Sequence, residues 1–448
     1  MFIDGKWRQF LHLEPPRGWL NDPNGLCFFG GFYHVYFQYA MENADGSGKK
    51  CWGHYRSRDF LKWEFTGTVL FPDIPEDRDG VYSGCAVVCE DMLHIFYTGN
   101  VKYKGDYDYI RSGREANVIH VSTADGIHMS EKNIVLRNED YPLFCSCHVR
   151  DPKVWNADGK WNMVLGARTK DDKGCVLFYE SHDLESWSYA GSDSAENFGY
   201  MWECPDCFEI DGHRYLSLSP QGMTHTETEH QNVYSSGYFR YDDKLKNFSE
   251  WDKGFDFYAP QSFEAPDGRR LLIGWMGIGD IPYNNPTAAL GYQHCLTLPR
   301  EITRAEDGSL RQQPIREIEA LREQAISVSE DAPAALTLPF ELHSSVEHGF
   351  RICIDDAIEL SWDEKLFRLT FTDDNVGCGR DVRRAKLEKC ADIRVIADNS
   401  AMEIYLDGGR TVLSTRMYPA EERIQLKVQG IAPTVWSLRG MEVKYLGE

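Results

Sequence analysis

Three short stretches of the chain pair an acid with strand-forming sequence. Gly18-Trp19-Leu20-Asn21-Asp22-Pro23-Asn24-Gly25 is a polar, turn-forming octet that leads into the apolar, aromatic run Leu26-Cys27-Phe28-Phe29. Proline lacks an N–H and disfavours helical backbone in the residue before it, so Asp22 is expected on extended backbone at the mouth of a strand. Arg150-Asp151-Pro152 opens Lys153-Val154-Trp155 in the same way, and Glu203-Cys204-Pro205 opens Asp206-Cys207-Phe208. A single Asp-Pro is ordinarily a turn or strand cap. Three such openings, read as equivalent places in repeated units, predict that Asp22, Asp151 and Glu203 converge on one pocket.

Converging carboxyl groups can split a glycosidic bond. With two of them roughly 5 to 5.5 Å apart, one attacks and the other donates a proton, whereas a wider gap admits water and inverts the sugar. Trp202 and Pro205 give Glu203 partly apolar surroundings, expected to raise its pKa and keep it protonated as general acid. Asn21, Asn24 and turn amides can donate to Asp22, which is expected to stay ionised as nucleophile. Asp151 follows Arg150, whose charge favours the carboxylate, and a permanently charged third acid suits accepting hydroxyls from a sugar. Trp19, Trp52, Trp202 and Trp275 are either core or stacking walls for a sugar ring.

Cys204-Pro205-Asp206-Cys207 matches a metal or redox spacing, but it has no second CxxC and no βαβ context, so its thiols are read as buried or incidental. Cys145-Ser146-Cys147-His148 is similarly isolated. No metal site stands out among the 14 histidines, and no cofactor is expected.

The elements that must position these acids repeat. Strand, Gly/Asp turn and strand recur at Leu26–Gln38, Ser83–Tyr97, Pro152–Leu165, Pro205–Leu218 and Pro260–Trp275, and Arg58-Asp59-Phe60-Leu61-Lys62-Trp63 is echoed by His182-Asp183-Leu184-Glu185-Ser186-Trp187. Five units spaced roughly 50 to 70 residues apart, each of about four strands, predict an all-β fold with an N-terminal five-bladed β-propeller over 1–303. Residues 304–326 read as a linker with a short helix around Pro314 to Arg322. From 327 to 448, alternating strands with Gly/Asp turns predict a β-sandwich domain.

Composition narrows the partners. A formal charge of −22 with a pI near 5.1 opposes nucleic acid and anionic membranes and favours a small uncharged substrate, although a local basic pocket could still hold one phosphate. Lys49, Lys50, Arg56 and Arg58 are the candidates for such a pocket. The start, Met1-Phe2-Ile3-Asp4-Gly5-Lys6, has no export pattern, and no apolar stretch of membrane-spanning length follows. Thirteen cysteines without framework spacing fit a reducing compartment, so a cytoplasmic location is expected. The sequence assigns no oligomeric state.

On these motifs the chain resembles glycoside hydrolase family 32, the β-fructofuranosidases, invertases and sucrose-6-phosphate hydrolases. Trp19 to Gly25 resembles the family's nucleophile motif, Arg150-Asp151-Pro152 its transition-state-stabiliser motif and Glu203-Cys204-Pro205 its acid/base motif. Phe37-Gln38-Tyr39, Trp52-Gly53-His54, Tyr82-Ser83-Gly84, Tyr258 to Phe263 and Gly274-Trp275-Met276-Gly277 are similar to its sugar-contacting segments. Gly408-Gly409-Arg410-Thr411-Val412-Leu413 looks like its C-terminal hallmark. The resemblance implies retaining release of terminal β-fructosyl units from sucrose, sucrose 6-phosphate or short fructo-oligosaccharides through a covalent intermediate on Asp22. It adds Asn21, Gln38, Trp52, Tyr82, Ser83, Arg150, Tyr258 and Trp275 as substrate contacts. The chain departs from the pattern at Ala40-Met41 with the polar segment Glu42 to Lys50, at Cys85 and at Leu20, and the first of these bears on the leaving group. A fructosyltransferase, an inverting pentosidase and a non-catalytic fructoside-binding propeller are the alternatives.

Overall fold

The computed structural model describes residues 5–330 and 333–447; Met1 to Asp4, part of the start read above, lie outside them. Five antiparallel sheets follow one another along the first part of the chain. Their innermost strands are Gly18–Phe29, Val81–Cys89, Cys145–Ala157, Met201–Ile210 and Tyr258–Glu264. Each innermost strand packs on the next and the fifth packs on the first, so the sheets close into a ring of blades. Stacking between two neighbours buries both faces of a blade, which is why Phe32–Ala40 is buried almost without alternation.

The loop between the third and fourth strands of a blade is stitched by a recurring device. Asp59 Oδ1 accepts from the N–H groups of Leu61 and Lys62 at 2.9 and 2.8 Å, and Asp183 Oδ1 from those of Glu185 and Ser186 at 2.9 and 2.7 Å. Asp125 repeats it with Ile127 and His128, a third copy hidden in the sequence because no tryptophan follows.

Two expected boundaries move. The stretch 304–326 is not a linker throughout, because Leu310–Pro314 pairs with Arg300–Arg304 as the outermost strand of the fifth blade. The helix beyond it is a 3-10 helix, Arg316–Leu321, with Ile318 and Leu321 buried. Glu442–Tyr445, expected in the sandwich, instead pairs in parallel with Lys62 to Phe65 of the first blade.

The remaining strands form two six-stranded sheets packed face to face around one apolar core. Here the burial alternates, as along Arg423–Gln429, because one face meets the other sheet and the other meets water. The sandwich docks on the propeller through buried charge. Arg300 pairs with Asp252 and Glu403, and His12 lies between Asp398 at 2.8 Å and Glu403 at 3.0 Å. Gly409 has a φ of 79°, and a Cβ there would stand 1.7 Å from Gln312 O, so the turn must be glycine for the sandwich to sit on the fifth blade. Among the described residues no helix is long and apolar enough to cross a membrane.

Candidate active site

All five innermost strands carry the same β-bulge near the start, with two residues standing opposite one. The quartets that contain it are Leu20 to Pro23, Val81 to Gly84, Arg150 to Lys153, Glu203 to Asp206 and Tyr258 to Gln261. The acids therefore lie inside their strands, beside a bulge that re-aims side chains, and not ahead of them. Nor are they equivalent: Glu203 holds the first place of its quartet, Asp151 the second and Asp22 the third. Asp151, Cys204 and Ala259, all second, share positive φ values of 63°, 46° and 48°, each followed by proline.

Residues at one level of the ring contact each other across blades. At the first level, Arg150 Nε and Nη2 donate to Glu203 Oε1 at 3.2 and 2.5 Å, and Tyr258 Oη donates to Glu203 Oε2 at 2.6 Å. At the second, the Cys204 N–H donates to Asp151 Oδ2 at 3.0 Å. At the third, Ser83 Oγ donates to Asp22 Oδ2 at 2.5 Å. At the fourth, Lys153 Nζ pairs with Asp206 Oδ1 at 3.2 Å, flooring the site with a closed ion pair.

The three acids do meet. Cys204 Sγ stands 3.6 Å from Asp22 Oδ2 and 3.6 Å from Asp151 Oδ2, so those two oxygens are no more than twice that distance apart. Arg150, shared by Glu203 and Asp151, joins the third. Asp22 is held by a relay: Trp19 Nε1 donates to Asn21 Oδ1, and Asn21 Nδ2 donates to Gln38 Oε1 at 2.7 Å and to Asp22 Oδ1 at 3.2 Å. Gln38 Nε2 then donates to Ser83 Oγ at 2.7 Å. Every donor in the relay is directed so that each Asp22 oxygen receives one hydrogen bond.

The electrostatics reverse two sequence expectations. Burial alone would raise Glu203, but the Arg150 charge and the hydrogen bonds from Tyr258, Arg150 and Gln221 hold it below the usual glutamate value. Burial raises Asp151 to about 7, and the adjacent Arg150 offsets only part of that because its fork points at Glu203. Burial also raises Asp22 against the hydrogen bonds of Ser83 and Asn21. Of the two acids that share Arg150, Asp151 thus holds a proton more readily than Glu203.

Of the expected sugar contacts, Asn21, Gln38, Ser83, Arg150 and Tyr258 form this shell, and Tyr82 lies at the rim. Trp19 is partly exposed, edge-on to Trp275 at 5.8 Å, and the Trp275 indole N–H has no partner among the described residues. Trp52 and Trp202 are sealed in the core, with their N–H groups taken by Tyr82 O and Phe198 O, so neither offers a stacking face. Arg56 and Arg58 flank Phe32 at the opposite end of the blade, Arg56 bonded to Glu64 at 2.8 Å; Lys50 alone of the four cations is seen beside the site, over Trp19 at 5.2 Å.

Some residues were not singled out. Gln221 Nε2 donates to Glu203 Oε2 at 2.6 Å, and Thr98 Oγ1 accepts from the Asp151 N–H at 2.8 Å. His148, set aside with its cysteines, accepts from Arg150 Nη1 at 2.7 Å through Nδ1 and donates through Nε2 to Tyr109 O at 2.9 Å. Burial and nearby arginines keep it neutral. The sequence signal was proximity, two residues before Arg150 on a strand, hence the same face. Cys204 carried no signal beyond its acid neighbour, while Cys207 packs in an apolar cluster with Trp202 and Leu216.

Chemically, one carboxyl group gripped by three donors, a second with one donor per oxygen and a third sharing a thiol make a pocket suited to attack and proton transfer at a sugar carbon. Similarity to known proteins agrees in kind. Over 441 residues the chain is 37% identical to a sucrose-6-phosphate hydrolase of Bacillus subtilis, covering 92% of this chain and 89% of that protein. It is 35% identical to a raffinose invertase of Escherichia coli over 94% of this chain and 92% of that one. Among solved structures, a β-fructofuranosidase of Bombyx mori aligns with a TM-score of 0.86 at 27% identity, covering 98% of this chain and 96% of that chain. The signature of the glycosyl hydrolases family 32 N-terminal domain matches residues 12–314 and that of the family 32 C terminal matches 309–439. The chain belongs to glycosyl hydrolase family 32.

Proposed function

We propose that this protein is a retaining β-fructosidase that hydrolyses the terminal fructosyl bond of sucrose and sucrose 6-phosphate, with Asp22 as nucleophile, Glu203 as general acid/base and Asp151 as the acceptor of sugar hydroxyls. The observation that carries it is the meeting of the three acids from blades one, three and four around Cys204 and Arg150. The names of its relatives, which include hydrolases of sucrose 6-phosphate and an invertase, support the substrate class.

In this reading the fructosyl ring enters the mouth and its hydroxyls donate to Asp151. Such donors favour the carboxylate and lower the Asp151 pKa, so the proton resting there moves to Glu203. An Asp22 oxygen then attacks the anomeric carbon as Glu203 passes its proton to the leaving oxygen, giving a fructosyl ester on Asp22. Water, deprotonated by Glu203, opens that ester with a second inversion and restores the site. Arg150 stays bonded to Glu203 through both proton transfers and stabilises the carboxylate that remains once the proton is given up.

The propeller through Pro314 is taken as the catalytic domain and the sandwich as its support. A cytoplasmic location, supported by thirteen cysteines that are all free, belongs to the same reading. The test is turnover of sucrose followed by proton NMR: β-fructofuranose as first product supports the double displacement, and the α-anomer would replace it with direct attack by water.

A further inference from the structure

The Arg150 guanidinium has two carboxyl groups to choose between. Glu203 Oε1 accepts from its Nε and Nη2, while Asp151 Oδ2, one residue along the chain, stands 3.9 Å from Nε and attracts the same charge. Coulomb energy varies slowly over such distances, so it does not by itself keep a long side chain on one partner. The third arm of the fork decides. Nη1 donates to His148 Nδ1 at 2.7 Å. Because a guanidinium is planar and rigid, holding Nη1 sets the direction of the opposite edge, Nε with Nη2, which then meets Glu203.

The acceptor on that third arm has to be neutral. A carboxylate there would draw the guanidinium off Glu203, and a cation would repel it. His148 is kept neutral by burial, by Arg150 itself, by Arg114 on the strand Arg114–Thr123 of blade two and by Arg168 on the neighbouring strand Lys160–Thr169, which together bring it down to about 2. Its tautomer is set from blade two. A carbonyl only accepts, so the bond of 2.9 Å between His148 Nε2 and Tyr109 O puts the proton on Nε2 and leaves the Nδ1 lone pair for Arg150. Tyr109 O is placed by a tight loop. Tyr109 has a φ of 54°, Asp108 Oδ1 accepts from the N–H groups of Ile110, Arg111 and Ser112, and the Cys147 N–H donates to Ile110 O at 2.8 Å.

We propose that His148 is a positioning residue: held by the Tyr109 carbonyl as its neutral Nε2–H tautomer, it accepts from Arg150 Nη1 and so keeps the Arg150 fork on Glu203 and off Asp151. This rests on the fructosidase reading above, in which Glu203 is the general acid/base. The test follows the Glu203 carboxyl by carboxyl-carbon NMR of the full chain labelled at glutamate Cδ, with Glu203→Gln assigning the signal. In His148→Leu and in His148→Ala, which adds no bulk, Glu203 is expected to titrate at least about one pH unit higher than in the wild type. In His148→Asn, which keeps an acceptor where Nδ1 stands, it is expected to return toward the wild type. A Glu203 that loses Arg150 is a weaker acid. In the Leu and Ala variants kcat/KM should therefore fall about fivefold or more further on sucrose than on β-fructosyl fluoride, which takes no proton from Glu203, and Asn should recover most of that difference. An unmoved Glu203 titration, equal losses on the two substrates, or an Asn variant that behaves like Leu overturns the positioning role and leaves the fructosidase reading standing. A wild type that cleaves neither substrate removes both.

Discussion

Cys204 meets a single oxygen of Asp151 twice, with its backbone N–H at 3.0 Å and its thiol at 3.6 Å. The amide does not depend on the side chain, and the thiol is a weak donor, so Cys204→Ala keeps the stronger bond. We expect kcat to fall only about fivefold, in line with the loss of one neutral hydrogen bond. Steady-state kinetics on sucrose check this; a loss near a thousandfold would give the thiol a direct part in the reaction.

Glu203→Gln and Asp22→Asn remove different halves of the chemistry. Loss of the proton donor is expected to cost about 10² to 10⁴ in kcat on sucrose, and loss of the nucleophile about 10⁴ or more. The two separate on β-fructosyl fluoride, whose leaving group needs no proton. Glu203→Gln should release fluoride in a burst and then stall, while Asp22→Asn stays inactive. Bursts from both, or from neither, would reassign the roles.

The pH profile follows from where the proton rests. Asp151 is pushed up to about 7 by burial, so below that pH the free enzyme holds a proton available for transfer to Glu203, and above it the proton is lost. We expect kcat/KM to fall on the alkaline side with an apparent pKa near 7 that belongs to the coupled acids, and to fall again in acid as a second proton reaches Asp22. In Asp151→Asn the alkaline limb should move to lower pH, because the remaining donor, Glu203, is held down by Arg150. A limb that stays near 7 in that variant would place the proton elsewhere.

Stability has its own window, set far from the pocket. Burial would lower His12, but Asp398 and Glu403 outweigh it and raise it from 6.5 to about 9. Its contribution is therefore complete below about 6.5 and lost as pH rises through 9. Burial would raise Glu403, yet Arg300 and His12 bring it from 4.5 to about 2, so its contribution is present above about 4.5 and lost toward 2. Thermal unfolding should show a plateau between these limits. His12→Gln should cost about 3 to 5 kcal/mol there by leaving buried carboxylates uncompensated, and should flatten the decline between pH 6.5 and 9.

Much of this was legible in the chain itself. The strand and turn runs from Leu26 to Trp275 disclosed the blades, and the proline after Asp22 disclosed strand backbone there, because such rules act between neighbours in sequence, whereas Asp151, also followed by proline, has a φ of 63° that the bulge imposes. Only the tertiary structure decided the rest. Which place of the bulge each acid occupies depends on register against the second strand, and one residue of register re-aims a side chain. Arg150 is bonded to Asp151 through the chain yet gives its fork to Glu203, because blade four brings that carboxylate to the same level. The pKa order followed that choice and not the sequence neighbours. Trp52 and Trp202, open between core and wall in the sequence, became core. Charge, burial and partnership are sums over groups far apart in the chain, so the sequence named the acids and the closed ring assigned their states.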